Sequence, residues 1–337
     1  MKVAASAARR VLGFAALALG AWAVWAVVRT PRASEVARSF TSSEQCQSCH
    51  ADVYAEWAAS WHARAWSDPE VRALSNEFAN TDCIDCHAPR PVFETGVGAR
   101  VLPRSTRRGE GVDCIACHVL PVNHASGGLV AGSRDAPRAA CRPVALRELG
   151  SSAFCAACHD QHDTTKQWAA TDYAARGIGC VDCHMPPWSP AADGATPRGR
   201  EHSMHGGHDL PLLQRAVEMR GRRDGGRWVI EVENVGAGHH FPTEERSRAA
   251  DLFWRPLPSA GQPWRHAYRF RSPYHSEGLP DTLLAAHETR SIAIEGEGSE
   301  GAIEAVLFYT LKPFWTDPAH PDPEHEARRI HSLELLP

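Results

Sequence analysis

Five copies of Cys-x-x-Cys-His lie between Cys46 and His184, one about every 28 residues. They read Cys46-Gln-Ser-Cys49-His50, Cys83-Ile-Asp-Cys86-His87, Cys114-Ile-Ala-Cys117-His118, Cys155-Ala-Ala-Cys158-His159 and Cys180-Val-Asp-Cys183-His184. At this Cys and His content about 0.02 copies are expected by chance. Two thiols three positions apart can form thioethers to the two vinyl groups of one porphyrin, and the adjacent imidazole then lies beneath the iron. A redox Cys-x-x-Cys needs no following His, and zinc ribbons pair their Cys-x-x-Cys units, which an odd number does not allow. The motifs therefore predict five covalently attached haems c, with all ten cysteines as attachment points. His50, His87, His118, His159 and His184 are the predicted proximal ligands.

This density constrains the fold more than any other feature. A segment of 139 residues that carries five macrocycles cannot also build a large side-chain core. The haems must form the core, stacked near contact, with short helices and loops wrapped around them. Their propionates call for cationic partners, and 33 of the 36 basic residues are arginine, the side chain suited to bidentate carboxylate contacts; GC-rich coding explains the same bias equally well. The motifs use ten of 11 cysteines and five of 19 histidines. Cys141 is left over and reads as an inert thiol.

Other classes are excluded. At 337 residues the chain is too long for a disulfide-stapled mini-protein, and its 43% hydrophobic content argues against a disordered polymer. The net charge is −4 and no basic run marks a nucleic-acid footprint, so no nucleic-acid partner is expected.

Fourteen histidines remain to supply sixth ligands. After His50 a helix is expected, with Asp52 as N-cap and Tyr54, Trp57 and Trp61 at helical spacing. Along one helix His62 would sit about 18 Å from His50 and rotated by roughly 120°, so it is a candidate distal ligand for a neighbouring haem. His124 lies in a Pro/Asn/Gly-rich loop, and His202 and His208 belong to a His-x-x-His-x-x-His tract with His205. Such a tract could hold zinc or copper, but at the end of a haem array it more readily donates axial ligands. His239, in the turn Asn234-Val-Gly-Ala-Gly238-His239-His240, completes the candidate distal set. His162, Met185 and Met204 are weaker candidates. No Cys-x-x-Cys-Lys motif is present.

Residues 11–28 are 18 uncharged, strongly apolar residues flanked by arginines. That is enough helix to cross a bilayer core of about 30 Å. A cleaved signal peptide competes, but the stretch is longer than a usual h-region and no small-x-small site follows it. The expected organisation is a cytoplasmic tail (1–10), a transmembrane anchor (11–28), a linker (29–45), a pentahaem domain (46–208) and a β-sandwich-like domain (209–337). Bacterial c-type haem attachment occurs outside the cytoplasmic membrane, so a single-pass protein with its bulk in the periplasm is expected.

Residues 119–150, rich in Gly, Pro, Arg and Ala, read as a long surface loop. Beyond His208 the pattern turns strand-like at 227–235, 249–254, 289–295, 303–311 and 330–336, between Gly/Pro/Asp turns. The fold class expected is mixed: an N-terminal transmembrane helix, short helices and loops packed on five haems, and a C-terminal antiparallel β-sandwich.

Cys46–His50 followed by Tyr54, Trp57, Ser60 and His62, the run Ala174-Ala-Arg-Gly177-Ile-Gly-Cys180-Val-Asp-Cys183-His184-Met-Pro186, the His202/Gly206 tract, and Gly238-His239 with Pro242-Thr243 carry a resemblance. Over about 46–243 the chain resembles the multihaem c-type cytochromes related to the tetrahaem cytochrome c of ammonia oxidation and to hydroxylamine oxidoreductase. The resemblance implies bis-histidine haems in close pairs and electron transfer, with His62, His202 and His239 as the best distal ligands. Two departures stand out: five haems, and no tyrosine matching the one that modifies a catalytic haem in hydroxylamine oxidoreductase.

The leading expectation is an electron carrier of a respiratory chain with redox protein partners, such as another cytochrome. A multihaem oxidoreductase with a five-coordinate haem acting on a small nitrogen or sulfur compound, or a membrane quinol dehydrogenase drawing on quinol, are the alternatives. No oligomeric state follows from the sequence.

Overall fold

The computed structural model describes residues 40–188, 199–243, 246–312 and 314–337. The first part, to about residue 208, is built from short helices, because a Cys-x-x-Cys-His unit needs little more than one helical turn to bring both thiols and the imidazole to one side. The helices used below are α1 (Glu44–Gln47), α2 (Ala51–Ala59), α3 (Trp61–Arg64), α4 (Asp82–His87), α5 (Cys114–His118), α6 (Ser152–His159), α7 (Thr164–Ala169), α8 (Asp172–Ala175) and α9 (Cys180–His184). Four motifs end their helices with the histidine, in α4, α5, α6 and α9; the first straddles α1 and the start of α2.

Side-chain caps fix where these helices start. The Asp113 carboxylate accepts from Ala116 N at 2.7 Å, and Ser151 Oγ accepts from Phe154 N at 3.2 Å. The expected single helix after His50 is two. His50 takes the cap position of α2, which puts Asp52 in the first turn, where its charge favours the helix N-terminus. Ser60 turns extended (ψ 165°) and caps α3 through its hydroxyl, so His62 lies on a separate, redirected turn.

The stretch expected as a surface loop over 119–150 is more ordered than that. Strands β1 (Val130–Gly132) and β2 (Pro143–Ala145) pair in parallel, and Leu120, Leu129 and Ala131 are buried. Three apolar residues spread over 12 positions leave no periodic signature, which is why the pattern escapes a sequence reading.

From residue 210 the chain forms α10 (Leu210–Ala216) and then two antiparallel sheets. One has the order β3-β4-β7, from β3 (Val217–Asp224), β4 (Arg227–Asn234) and β7 (Thr289–Ala293). The other has the order β6-β5-β8-β9, from β5 (Ala249–Pro256), β6 (Arg265–Phe270), β8 (Ile303–Thr310) and β9 (Arg328–Leu335). Their facing sides share one core: Ile230 and Val232 from one sheet meet Leu252, Trp254, Ala305 and Leu307 from the other, all at most 1% exposed. This is a β-sandwich. β3 and β6 join the five strands read from the sequence; both are rich in arginine, which masks their alternation.

The expected fold class needs correction at the N-terminus. No helix among the described residues is long and apolar enough to cross a membrane. The longest motif-region helix, α2, has nine residues and spans about 14 Å, half of a bilayer core. The described chain is a mixed helix and sheet structure, and the anchor expected over 11–28 lies outside the described residues. Localisation in the cytoplasmic membrane as a single-pass protein therefore has no support in the structure.

Candidate haem-binding site

Three of the motif histidines are held from behind. Nδ1 of His87 is hydrogen-bonded to the Ala65 carbonyl at 2.7 Å, Nδ1 of His118 to the Ala131 carbonyl at 2.8 Å, and Nδ1 of His184 to the His205 carbonyl. A carbonyl can only accept, so each of these rings carries its proton on Nδ1 and leaves Nε2 available, the arrangement that orients an imidazole toward a metal. His202 and His239 share it, with Nδ1 on the carbonyls of Arg200 and His240, each at 2.8 Å.

Three histidine pairs face one another. The rings of His62 and His159 are 5.9 Å apart and nearly perpendicular. Those of His118 and His202 are 6.2 Å apart at 26°, and those of His184 and His239 are 6.3 Å apart at 13°. Two imidazoles on opposite faces of one metal have ring centroids about 6.2 Å apart, from a metal–nitrogen length of about 2.0 Å and about 1.1 Å within each ring. Direct ring stacking would bring them well inside this distance; Trp61 and His208, at 3.6 Å and 14°, show what that looks like. The residues present thus fit an iron held between each of the three pairs.

Burial keeps His62, His118, His159, His202 and His239 neutral, the form that ligates metal. Removal from water pushes His62 down to about 3 and His239 to about 4, and it lowers His118, His159 and His202 in the same direction. His62 Nδ1 is buried with no hydrogen-bond partner.

The remaining candidates separate clearly. His208 is stacked on Trp61, its Nδ1 likewise without a partner and burial lowering it to about 4. His124 bonds Ser126 Oγ at 2.8 Å within its own exposed turn. His50 and His87 lie outside the three pairs; His87 has the Phe78 ring at 5.5 Å, itself stacked on Trp66 at 4.2 Å. His205 is clamped between Glu201 and Asp209, each at 2.8 Å, and among the described residues no group of three or more His, Cys, Asp or Glu could hold a metal ion by itself.

The thiols also meet across motifs. Cys46 lies beside Cys114, Cys86 beside Cys158, and Cys155 beside Cys180, while Cys117 neighbours Cys155 and Cys158. The first motif thus adjoins the third, and the fourth adjoins the second, third and fifth. The backbone carbonyls behind the histidines are the functional groups that the sequence hid: a carbonyl belongs to every residue, so Ala65 and Ala131 carry no chemical signal.

Residues 45–119 match the sequence model of a family described as cytochrome c554 and c-prime. That stretch holds the first three motifs. The fold is similar to the crystal structure of a penta-haem cytochrome c552 from Thermochromatium tepidum, with a TM-score of 0.64 and 23% identity over 89% of this chain and 99% of that one. Part of the chain, 36%, also aligns with 94% of a superoxide reductase from Nanoarchaeum equitans at 17% identity and a TM-score of 0.20, a level that carries no argument. No curated protein matches. The family match, the shared fold and the five motifs support a multihaem c-type cytochrome with covalently bound haem c.

Proposed function

We propose that this chain is a pentahaem electron-transfer protein in which all five motifs carry haem c. His50, His87, His118, His159 and His184 are the proximal ligands, and His202, His62 and His239 are the distal ligands opposite His118, His159 and His184. The observation that carries this reading is the set of three histidine pairs at 5.9, 6.2 and 6.3 Å. Its fold relative is named as a penta-haem cytochrome, which agrees with the motif count.

Haem c supplies one-electron exchange between ferric and ferrous iron. The protein's part is to hold the macrocycles in place and to shield them. Histidines on both faces of three irons leave no room there for a substrate, which favours an electron carrier over an enzyme at those positions. Thiol contacts between motifs draw the attachment sites into one connected array with the fourth motif at its centre. The cysteines with exposed side chains, Cys49 and Cys183, belong to the first and last motifs; we place exchange with redox protein partners at these two edges.

Intact mass and a pyridine haemochrome assay test the count. Five additions of about 616 Da each are expected, and fewer would refute the assignment of all five motifs. Electron paramagnetic resonance of the ferric protein tests the ligands. At least three low-spin haems are expected, and a wholly high-spin spectrum would refute the pairing.

A further inference from the structure

The third histidine pair joins the two halves of the molecule. His184 closes α9 among the haem motifs, whereas His239 sits in the turn that leaves β4 of the sandwich. That turn is organised by Asn234, the last residue of β4, which is completely buried. Its Nδ2 donates to the His239 carbonyl at 2.9 Å and to the Leu284 carbonyl at 3.2 Å, and its Oδ1 accepts from Ala237 N at 3.0 Å. One amide therefore uses its donors and its acceptor to set the path from residue 234 to residue 239.

The turn is also pressed onto α10 and onto the motif half. A Cβ at Gly236 would lie 2.2 Å from the Arg215 carbonyl oxygen, so only glycine fits there. The Tyr173 hydroxyl of α8 donates to the Val235 carbonyl at 3.1 Å, and His240 N donates to Gln167 Oε1 of α7 at 3.0 Å. Behind the turn, His287 stacks on Tyr173 at 5.4 Å and bonds Asp172 at 2.7 Å. These contacts fix the His239 backbone against α7 and α8, close to α9.

We propose that the β-sandwich is the sixth-ligand arm of the fifth motif's haem, and that Asn234 is the positioning residue that presents His239. This rests on the haem reading above. The haem-free half of the chain thereby gains a role, because an iron held by His184 on one side and His239 on the other is a joint between the two halves. The same role explains why a fully buried amide ends β4. Removing that amide leaves the His239 carbonyl without its donor, an unfavourable change in a dry site, whereas the Leu284 carbonyl still accepts from Phe241 N at 2.9 Å.

The test uses the full, haem-loaded chain. His239→Ala is expected to turn one low-spin haem per chain high-spin. Added imidazole should restore the low-spin signal, and the reduced variant should bind one more carbon monoxide per chain than the parent. Asn234→Ala, with His239 retained, is expected to raise the five-coordinate fraction at that haem about tenfold, the weight of one lost buried hydrogen bond. It should add nothing to the spin state once His239 is already alanine. If Asn234→Ala does not accumulate, Gly236→Ala displaces the same turn and is expected to give the same signature. Unchanged spin state and ligand uptake in His239→Ala, with five haems present by mass, would overturn the arm while leaving the haem reading intact. Fewer than five haems in the parent chain would overturn the haem reading itself. An unchanged spin state in a folded Asn234→Ala would remove Asn234 from its role.

Discussion

Val112 N donates to the His62 carbonyl at 2.8 Å, tying a candidate axial histidine to the approach of the third motif helix. The same segment is gripped a second time, by Trp57 Nε1 donating to the Val112 carbonyl at 2.8 Å. His62 is thus placed by residues some 50 positions away, next to a haem site that is not the one its own helix follows.

Gly111 makes that contact possible. Its φ is +59°, and a Cβ there would lie 2.2 Å from the His62 carbonyl oxygen. Gly111→Ala is expected to cost about 1–3 kcal/mol in denaturant unfolding and to convert the His62/His159 haem partly to high spin. A variant that kept a fully low-spin spectrum would show that His62 does not depend on this contact.

Glu56 of α2 does for His202 what Val112 does for His62. One carboxylate oxygen accepts from His202 N at 2.7 Å and the other from Trp188 Nε1 at 2.6 Å. Glu56→Ala leaves both donors without their partner, and a loss of about 1–3 kcal/mol is expected. Melting followed at the haem absorption should show it, together with easier displacement of His202 by cyanide.

The sandwich core answers to packing alone. Leu252 is fully buried between the sheets, and Leu252→Ala is expected to cost about 2–5 kcal/mol. Calorimetry should record this loss in the sandwich transition, while the low-spin signals of the His118/His202 and His62/His159 haems stay as they are.

An acid-sensitive clamp holds the sandwich edge. Arg271 bonds both oxygens of Glu277, at 2.7 and 2.8 Å, and these bonds hold the Glu277 carboxyl below its ordinary value. A carboxylate depressed in the folded state contributes stability that is present above its unfolded pKa of about 4.3 and is lost as pH falls through the folded value. The sandwich melting temperature should therefore drop below about pH 4, and Glu277→Gln should be less stable at neutral pH and less sensitive to acid. Equal pH profiles would exclude the clamp as a source of acid sensitivity.

The proposed attachment sites are legible in the sequence because each Cys-x-x-Cys-His unit is local. A Cys-x-x-Cys-His unit needs only one helical turn, and the helices ending at His87, His118, His159 and His184 deliver it. The antiparallel strands β4, β5, β7, β8 and β9 were readable for a similar reason, since alternation or apolar runs record burial directly. Asp52 misled because a good capping residue is equally favourable inside the first turn, and β1 and β2 escaped because three-residue strands have no period. The anchor expected over 11–28 lies outside the described residues, and no described helix approaches that length.

The sequence by itself determined which thiols stand beside which imidazoles, because those groups lie within five residues of one another. Only the tertiary structure decided which histidine faces which. His62, His202 and His239 reach their partners from 97, 84 and 55 residues away in the chain, through backbone carbonyls, one half-buried carboxylate and one buried amide. Such a meeting depends on where the backbone is carried by packing and hydrogen bonds, and no spacing rule along the chain records it.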